Sequence, residues 1–228
     1  MTYVKRIVCL ANSFKIGGSC IAGREVLGKG KYGGWLRPVS SRPTAEVRVS
    51  ECRYQNSAIP KLLDIIDVPL LKAVPHNHQT ENHEIDAKSR WVKVGELPWD
   101  ELEQLRERPA SLWINSDSTS TGAFNCLSQA EAATLHDSLV LIKKKDFTVE
   151  VASNPWDGRR TYRGNFKYDG FYYSLSMTDP VATKAFAAKD EGEYELNDVY
   201  LCISLTEPYE KDGRCHKLVA AIISDPPL

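Results

Sequence analysis

Four groups of residues have the types and spacing to do chemistry. The first is the run Asn12-Ser13-Phe14-Lys15-Ile16-Gly17-Gly18. Gly17 and Gly18 let backbone N–H groups approach a phosphate or carboxylate. Arg24 and Arg37 add forked donors for bidentate anion contacts, and Trp35, after two glycines, offers a face to a base or a nicotinamide-like ring. The same residues also suit a plain hairpin turn with Trp35 plugging a barrel.

The second group is WDGRRTYRGNFKYDGFYY, from Trp156 to Tyr173. Arg159, Arg160, Arg163 and Lys167 are interleaved with aromatics, the composition that holds single-stranded nucleic acid by phosphate contacts and base stacking. Strand alternation puts Tyr162, Phe166 and Tyr168 on one face and Arg163 and Lys167 on the other. That split favours an aromatic core under a basic outer face.

The third group is His76-Asn77-His78 with Glu81, His83, Glu84 and Asp86. Three histidines within eight residues invite a metal, but His83 has the wrong parity to join the other two on a strand, so a solvated loop is expected and no metal. The fourth is nucleophilic: Cys20, and Cys215 beside His216. Neighbours on a strand point to opposite faces, so Cys215 and His216 form no dyad. No nucleophile elbow, Walker loop or HExxH helix occurs. Lys143-Lys144-Lys145 suits a protected strand edge as well as phosphate contacts.

The elements that must position these groups are mostly short strands. Strand patterns fall at Tyr3–Ala11, Ser19–Leu27, Trp35–Ser40, Val47–Tyr54 and Leu62–Val74. Helix signals follow Pro98 as far as Arg108, and follow Ser128, whose partner Glu131 completes a capping box. Later strands fall at Leu139–Val151, Arg159–Tyr168, Phe171–Thr178, Val199–Thr206 and His216–Ile223, with a helix at Pro180–Lys189 capped by Asp179. Three strands, a helix and two strands is the order of an OB-fold, a five-stranded Greek-key barrel.

The 228 residues carry a formal charge of −1, which alone argues against an anionic ligand. The total hides an asymmetry. Residues 1–53 hold ten basic and three acidic residues, a net of +7, and the remainder nets −8. Opposite signs suggest that the basic part meets an anion or meets the acidic part. The longest apolar run, Leu218–Ile223, is far below the roughly 20 residues of a membrane span. The N-terminus lacks the apolar run of a signal peptide. None of the six cysteines forms a CxxC pair, so reduced thiols in a cytoplasmic protein are expected.

Two segments echo each other. RIVCLANSFKIGGSCIAGREV and VYLCISLTEPYEKDGRCHKLVAAII each set a cysteine in a strand, then a polar turn, then Gly-x-Cys. YGGW (Tyr32–Trp35) and YDGF (Tyr168–Phe171) form a second pair, in reversed order. Either two related modules or ordinary hairpin chemistry accounts for this. Together with GGWLRPVS and HNHQTEN, these segments resemble a bacterial family of dual OB-domain proteins. The resemblance implies two OB-like barrels and a link to nucleic-acid or nucleotide-based conflict systems. It supplies no catalytic residue.

The sequence therefore predicts a mainly β chain with minor α content: two OB-like Greek-key barrels packed together, at residues 1–120 and 121–228. Its expected role is a non-enzymatic binding module for single-stranded nucleic acid or a nucleotide-type anion, without a cofactor. The site would comprise Asn12, Ser13, Lys15, Gly17, Gly18, Arg24, Trp35 and Arg37, extended by Arg159, Arg160 and Arg163. An enzyme acting on a nucleotide or modified base is the alternative, and an adaptor for a protein partner is another.

Overall fold

A computed structural model describes residues 2–154 and 157–228; Trp156 lies outside them. The chain divides into two compact units, residues 1–106 and 107–228.

In the first unit, β1 (Tyr3–Lys15), β2 (Gly18–Gly28) and β3 (Lys31–Val39) form a meander. The short helix α1 (Val49–Cys52) leads to β4 (Asp64–Ala73) and β5 (Asn82–Ile85). The sheet runs β1-β2-β3-β5-β4, and a β1–β4 pairing closes it. β3 and β5 are parallel, with Arg37 opposite Asn82. This is the OB topology. β6 (Val92–Glu96) adds to β4, and the 3₁₀ helix Trp99–Leu105 follows. The core holds Ile7, Cys9, Ile21, Leu36, Ile66, Val68 and Trp91.

The second unit repeats the topology. After the short β7 (Cys126–Ser128) and α2 (Gln129–Ala132) come β8 (Leu139–Ser153), β9 (Arg160–Tyr168) and β10 (Phe171–Met177). Then follow α3 (Pro180–Phe186), β11 (Gly192–Leu205) and β12 (Arg214–Ile223). The order β10-β9-β8-β11-β12 closes through a parallel β10–β12 pairing. Three strands, a helix and two strands is the order expected from the sequence.

Closing so small a barrel bends the second strand hard against the first. A Cβ at Gly23 in β2 would lie 2.0 Å from the Val8 carbonyl oxygen. The second strand of the other barrel, β9, also holds a crowded glycine, Gly164, where a Cβ would lie 2.7 Å from the Phe147 ring. Glycine is the residue for such close approach.

The compact units meet after Arg106, and residues 107–115 are fastened to the second barrel. Glu107 N–H donates to the Leu141 carbonyl at 2.7 Å, and Leu112 joins the second core. Two sequence expectations change. Val47–Tyr54 is not a strand: Val47 makes one bridge to Ser19 and the chain then turns into α1. The echoed segments are not equivalent elements. One is the β1–β2 hairpin and the other is β11–β12, the fourth and fifth strands of its barrel. Their likeness is hairpin chemistry, while the repeat lies in the topology.

Candidate functional site

The β1–β2 turn puts apolar side chains in solvent. Lys15 pairs with Gly18, and Gly17 takes a φ of 86°. Phe14 and Ile16, on either side of Lys15, are 67% and 81% exposed. Ser19 and Val47 exchange both backbone hydrogen bonds at 2.9 Å, which draws residues 46–48 beneath the turn. A Cβ at Gly18 would meet the Val47 carbonyl oxygen at 2.5 Å and Glu46 Cγ at 3.1 Å. The concave side of the turn therefore already faces a carboxylate. The Thr44 hydroxyl and the Arg42 guanidinium donate to Glu46 and hold its carboxyl down to about 2. An anion approaching the backbone from that side meets negative charge. The turn presents side chains rather than cradling a phosphate.

The opposite flank is the loop between α1 and β4. Asn12 Nδ2 donates to the Pro60 carbonyl at 2.8 Å and ties this loop to the end of β1. The loop is tightly turned: Tyr54 N–H donates to the Ala58 carbonyl at 2.8 Å and Ser57 N–H to the Tyr54 carbonyl at 3.0 Å. Beneath it, Asp64 is buried and saturated. It accepts from the Tyr54 hydroxyl at 2.7 Å and Lys61 N–H at 2.9 Å, and pairs with Lys93 at 2.5 Å. Burial, with the hydrogen bond to Asp64, pushes the Tyr54 phenol up, so it stays a donor rather than a base. A cavity of about 370 Å³ opens beside these groups, between Gln55, Asn56, Ile59 and Lys61 of the loop and Val92 and Lys93 of β6.

Charge at this end is predominantly positive. Arg42 accounts for Glu46 and Glu51, and Lys93 for Asp64 and Glu96. Lys15, Arg53 and Lys61 then stand outside any ion pair among the described residues.

The remaining predicted residues lie elsewhere. Ser13 is buried, its hydroxyl donating to the Cys20 carbonyl at 3.4 Å. Arg24 and Trp35 are opposite one another on β2 and β3, the guanidinium carbon 5.9 Å from the ring centroid, and Arg24 Nε donates to the Gly33 carbonyl at 2.7 Å. Arg24 itself is thus the stacking neighbour of Trp35. Arg37 is only 3% exposed and pairs with Glu81 at 3.1 Å. A guanidinium committed to a buried carboxylate cannot also take a solvent phosphate, so Arg37 is structural.

Arg159, Arg160 and Arg163 belong to the second unit. Arg159 pairs with Asp157 at 3.2 Å, and Arg160 donates to the Lys189 carbonyl. Arg163 donates to Ser174 Oγ at 3.0 Å and Ser176 Oγ at 3.1 Å. Phe166 and Tyr173 face the core, with Tyr162, Tyr168 and Phe171 packed against it, as alternation required. The histidines do not converge: His76 is exposed, His78 is buried, and His83 Nδ1 lies 2.6 Å from the Tyr3 hydroxyl. Among the described residues no group of three or more His, Cys, Asp or Glu could hold a metal ion. All six cysteines are free thiols.

Closed barrels with parallel third and fifth strands are the OB topology, found here twice. The model of the family described as "Dual OB-containing domain" matches residues 5–222. The chain belongs to the dual OB-containing domain family. A search of curated proteins finds no match to it. Barrels of this type are generally binding modules, using the second and third strands and the loops after strands one and four. In this dual OB protein the Lys15–Gly18 turn is the first of those loops. The loop from α1 to β4 lies outside that usual set. Gln55 to Lys61 carries no motif in the sequence, and only the fold shows that Phe14 and Ile16 are exposed. No helix among the described residues is long and apolar enough to cross a membrane.

Proposed function

We propose that this dual OB protein is a non-enzymatic binding module for single-stranded nucleic acid, and that the Lys15–Gly18 end of its first barrel carries the contact. The observation that carries the reading is Phe14, two-thirds exposed beside Lys15 at the β1–β2 turn, on the strand whose Asn12 holds the Pro60 carbonyl next to Lys61. An exposed aromatic face beside unpaired cations is the combination that stacks bases and tracks phosphates. An exposed Phe and Ile at a loop tip otherwise leave apolar surface in water. The high phenol pKa of Tyr54 and the saturated Asp64 supply no base or nucleophile, which favours binding over turnover. The test is fluorescence anisotropy of a labelled single-stranded oligonucleotide across a salt series. Binding should weaken steeply with salt, and Phe14→Ala should cost about 1–3 kcal/mol. Absence of binding at low salt, or binding indifferent to salt, ends the proposal.

A further inference from the structure

The cavity between the α1–β4 loop and β6 has a composition of its own. Ala58, Ile59 and Val92 line it with apolar surface, and Ile59 and Val92 remain 43% and 40% exposed. Gln55 and Asn56 supply amides, which carry donors and acceptors together, the pattern of a base edge. Asn56 Oδ1 is occupied by Ala58 N–H at 3.1 Å, so its Nδ2 is left to donate, while Gln55 offers both kinds of group. The turn around Ser57 sets the backbone here, and the bond from Ala58 N–H holds the Asn56 amide before any ligand arrives, which lowers the ordering cost of binding. Lys93 is engaged by Asp64 and Glu96, which leaves Lys61 as the one cation lining the cavity outside an ion pair among the described residues. That matches a phosphodiester, with one negative charge, better than the dianion of a free terminal phosphate.

We infer that this cavity takes one unstacked nucleotide of a bound single strand, its base against Ile59 and Val92, its edge on Gln55 and Asn56, and its phosphodiester on Lys61. The inference rests on the nucleic-acid reading above. Unstacked bases held on apolar or aromatic walls and read along their edges are the usual means of single-strand recognition.

The test uses the whole protein and a single-stranded deoxyoligonucleotide carrying one 2-aminopurine, an adenine analogue that brightens on leaving the stack. Emission should rise on binding. Gln55→Ala combined with Asn56→Ala should abolish the rise and weaken binding about tenfold while the salt dependence persists. Val92→Trp, which fills the cavity and leaves both amides, should also abolish it. Salt-dependent anisotropy with unchanged emission overturns the cavity assignment and leaves the binding function standing. A full rise in both variants overturns the assignment as well. No binding by either readout overturns both.

Discussion

Lys217 shows how one side chain can set the pH response of a barrel. It lies on the inner face of β12, only 1% exposed, where Val219 two residues on joins the core. Its Nζ donates to the Ile114 carbonyl at 2.8 Å and to Asn115 Oδ1 at 2.7 Å, and it sits 5.4 Å from the Tyr173 ring centroid. Desolvation pushes the ammonium down to about 7, outweighing the opposing pull of Cys126 and Glu131. The unfolded chain keeps this proton up to about pH 10.4. Between those values the unfolded state binds more protons, so stability rises with pH; below pH 7 the lysine adds no slope. The gain is about 2 kcal/mol from pH 7 to pH 9. Burial pushes the Cys126 and Cys215 thiols up, and they titrate with the opposite sign over this range, so urea unfolding should show the lysine's share as the difference between wild type and Lys217→Met in their change from pH 7 to pH 9. An equal pH slope in that variant would assign the effect to another group. The sequence could not announce this lysine. It stands inside an alternating strand, where only the closing of the barrel decides that its face is buried.

Among the elements, helix starts were readable and short strands were not. The Ser128 capping box forms as its spacing requires: Ser128 Oγ accepts from Glu131 N–H at 3.2 Å and Glu131 Oε2 accepts from Ser128 N–H at 2.8 Å. A cap is local chemistry, so four residues suffice to write it. β5, β6 and β7 have five residues or fewer and exist because a distant strand offers a register. No local period can encode them. Val47–Tyr54 misleads for the same reason. Its alternation suits a strand, but the Arg42 guanidinium holds Glu51 at 2.5 Å and the Glu51 carboxylate accepts from Arg48 N–H at 2.8 Å, which fixes a helical turn. Asp179 is legible as a cap but does more than cap. Its Oδ1 accepts from Val181 N–H at 2.8 Å and Ala182 N–H at 3.1 Å, while Oδ2 accepts from Ile222 N–H at 2.8 Å. One buried carboxylate thus joins the start of α3 to the closing strand β12. Asp179→Ala strands three donors in the interior and should cost about 2–4 kcal/mol. Asp179→Asn should cost less, because an amide oxygen still caps the helix. A chemical unfolding midpoint that does not move in Asp179→Ala would show that α3 is not anchored through this residue.

On the scale of the whole molecule, charge separates two barrels of the same topology. Residues 1–106 hold 16 basic and 12 acidic side chains, a net of +4, and residues 107–228 hold 13 and 18, a net of −5. The basic excess seen in residues 1–53 is therefore a property of the first barrel, diluted by the acidic β4–β6 region. Within that barrel Arg37, Arg42 and Lys93 are engaged by Glu81, Glu46, Glu51, Asp64 and Glu96, so at the end formed by the β1–β2 turn and the α1–β4 loop the cations left for a polyanion are Lys15, Arg53 and Lys61. Each cation that meets a phosphate releases counterions, and removing it lowers the slope of log affinity against log salt by about one. Lys15→Gln, Arg53→Gln and Lys61→Gln should each reduce that slope for an oligonucleotide, and the triple variant should reduce it by about three. Arg159→Gln with Arg160→Gln, on the acidic unit and already engaged by Asp157 and the Lys189 carbonyl, should leave it unchanged. The reverse pattern, a slope lost with the two arginines and kept in the triple variant, would move the contact to the second barrel and make the charge of the first one a matter of solubility alone.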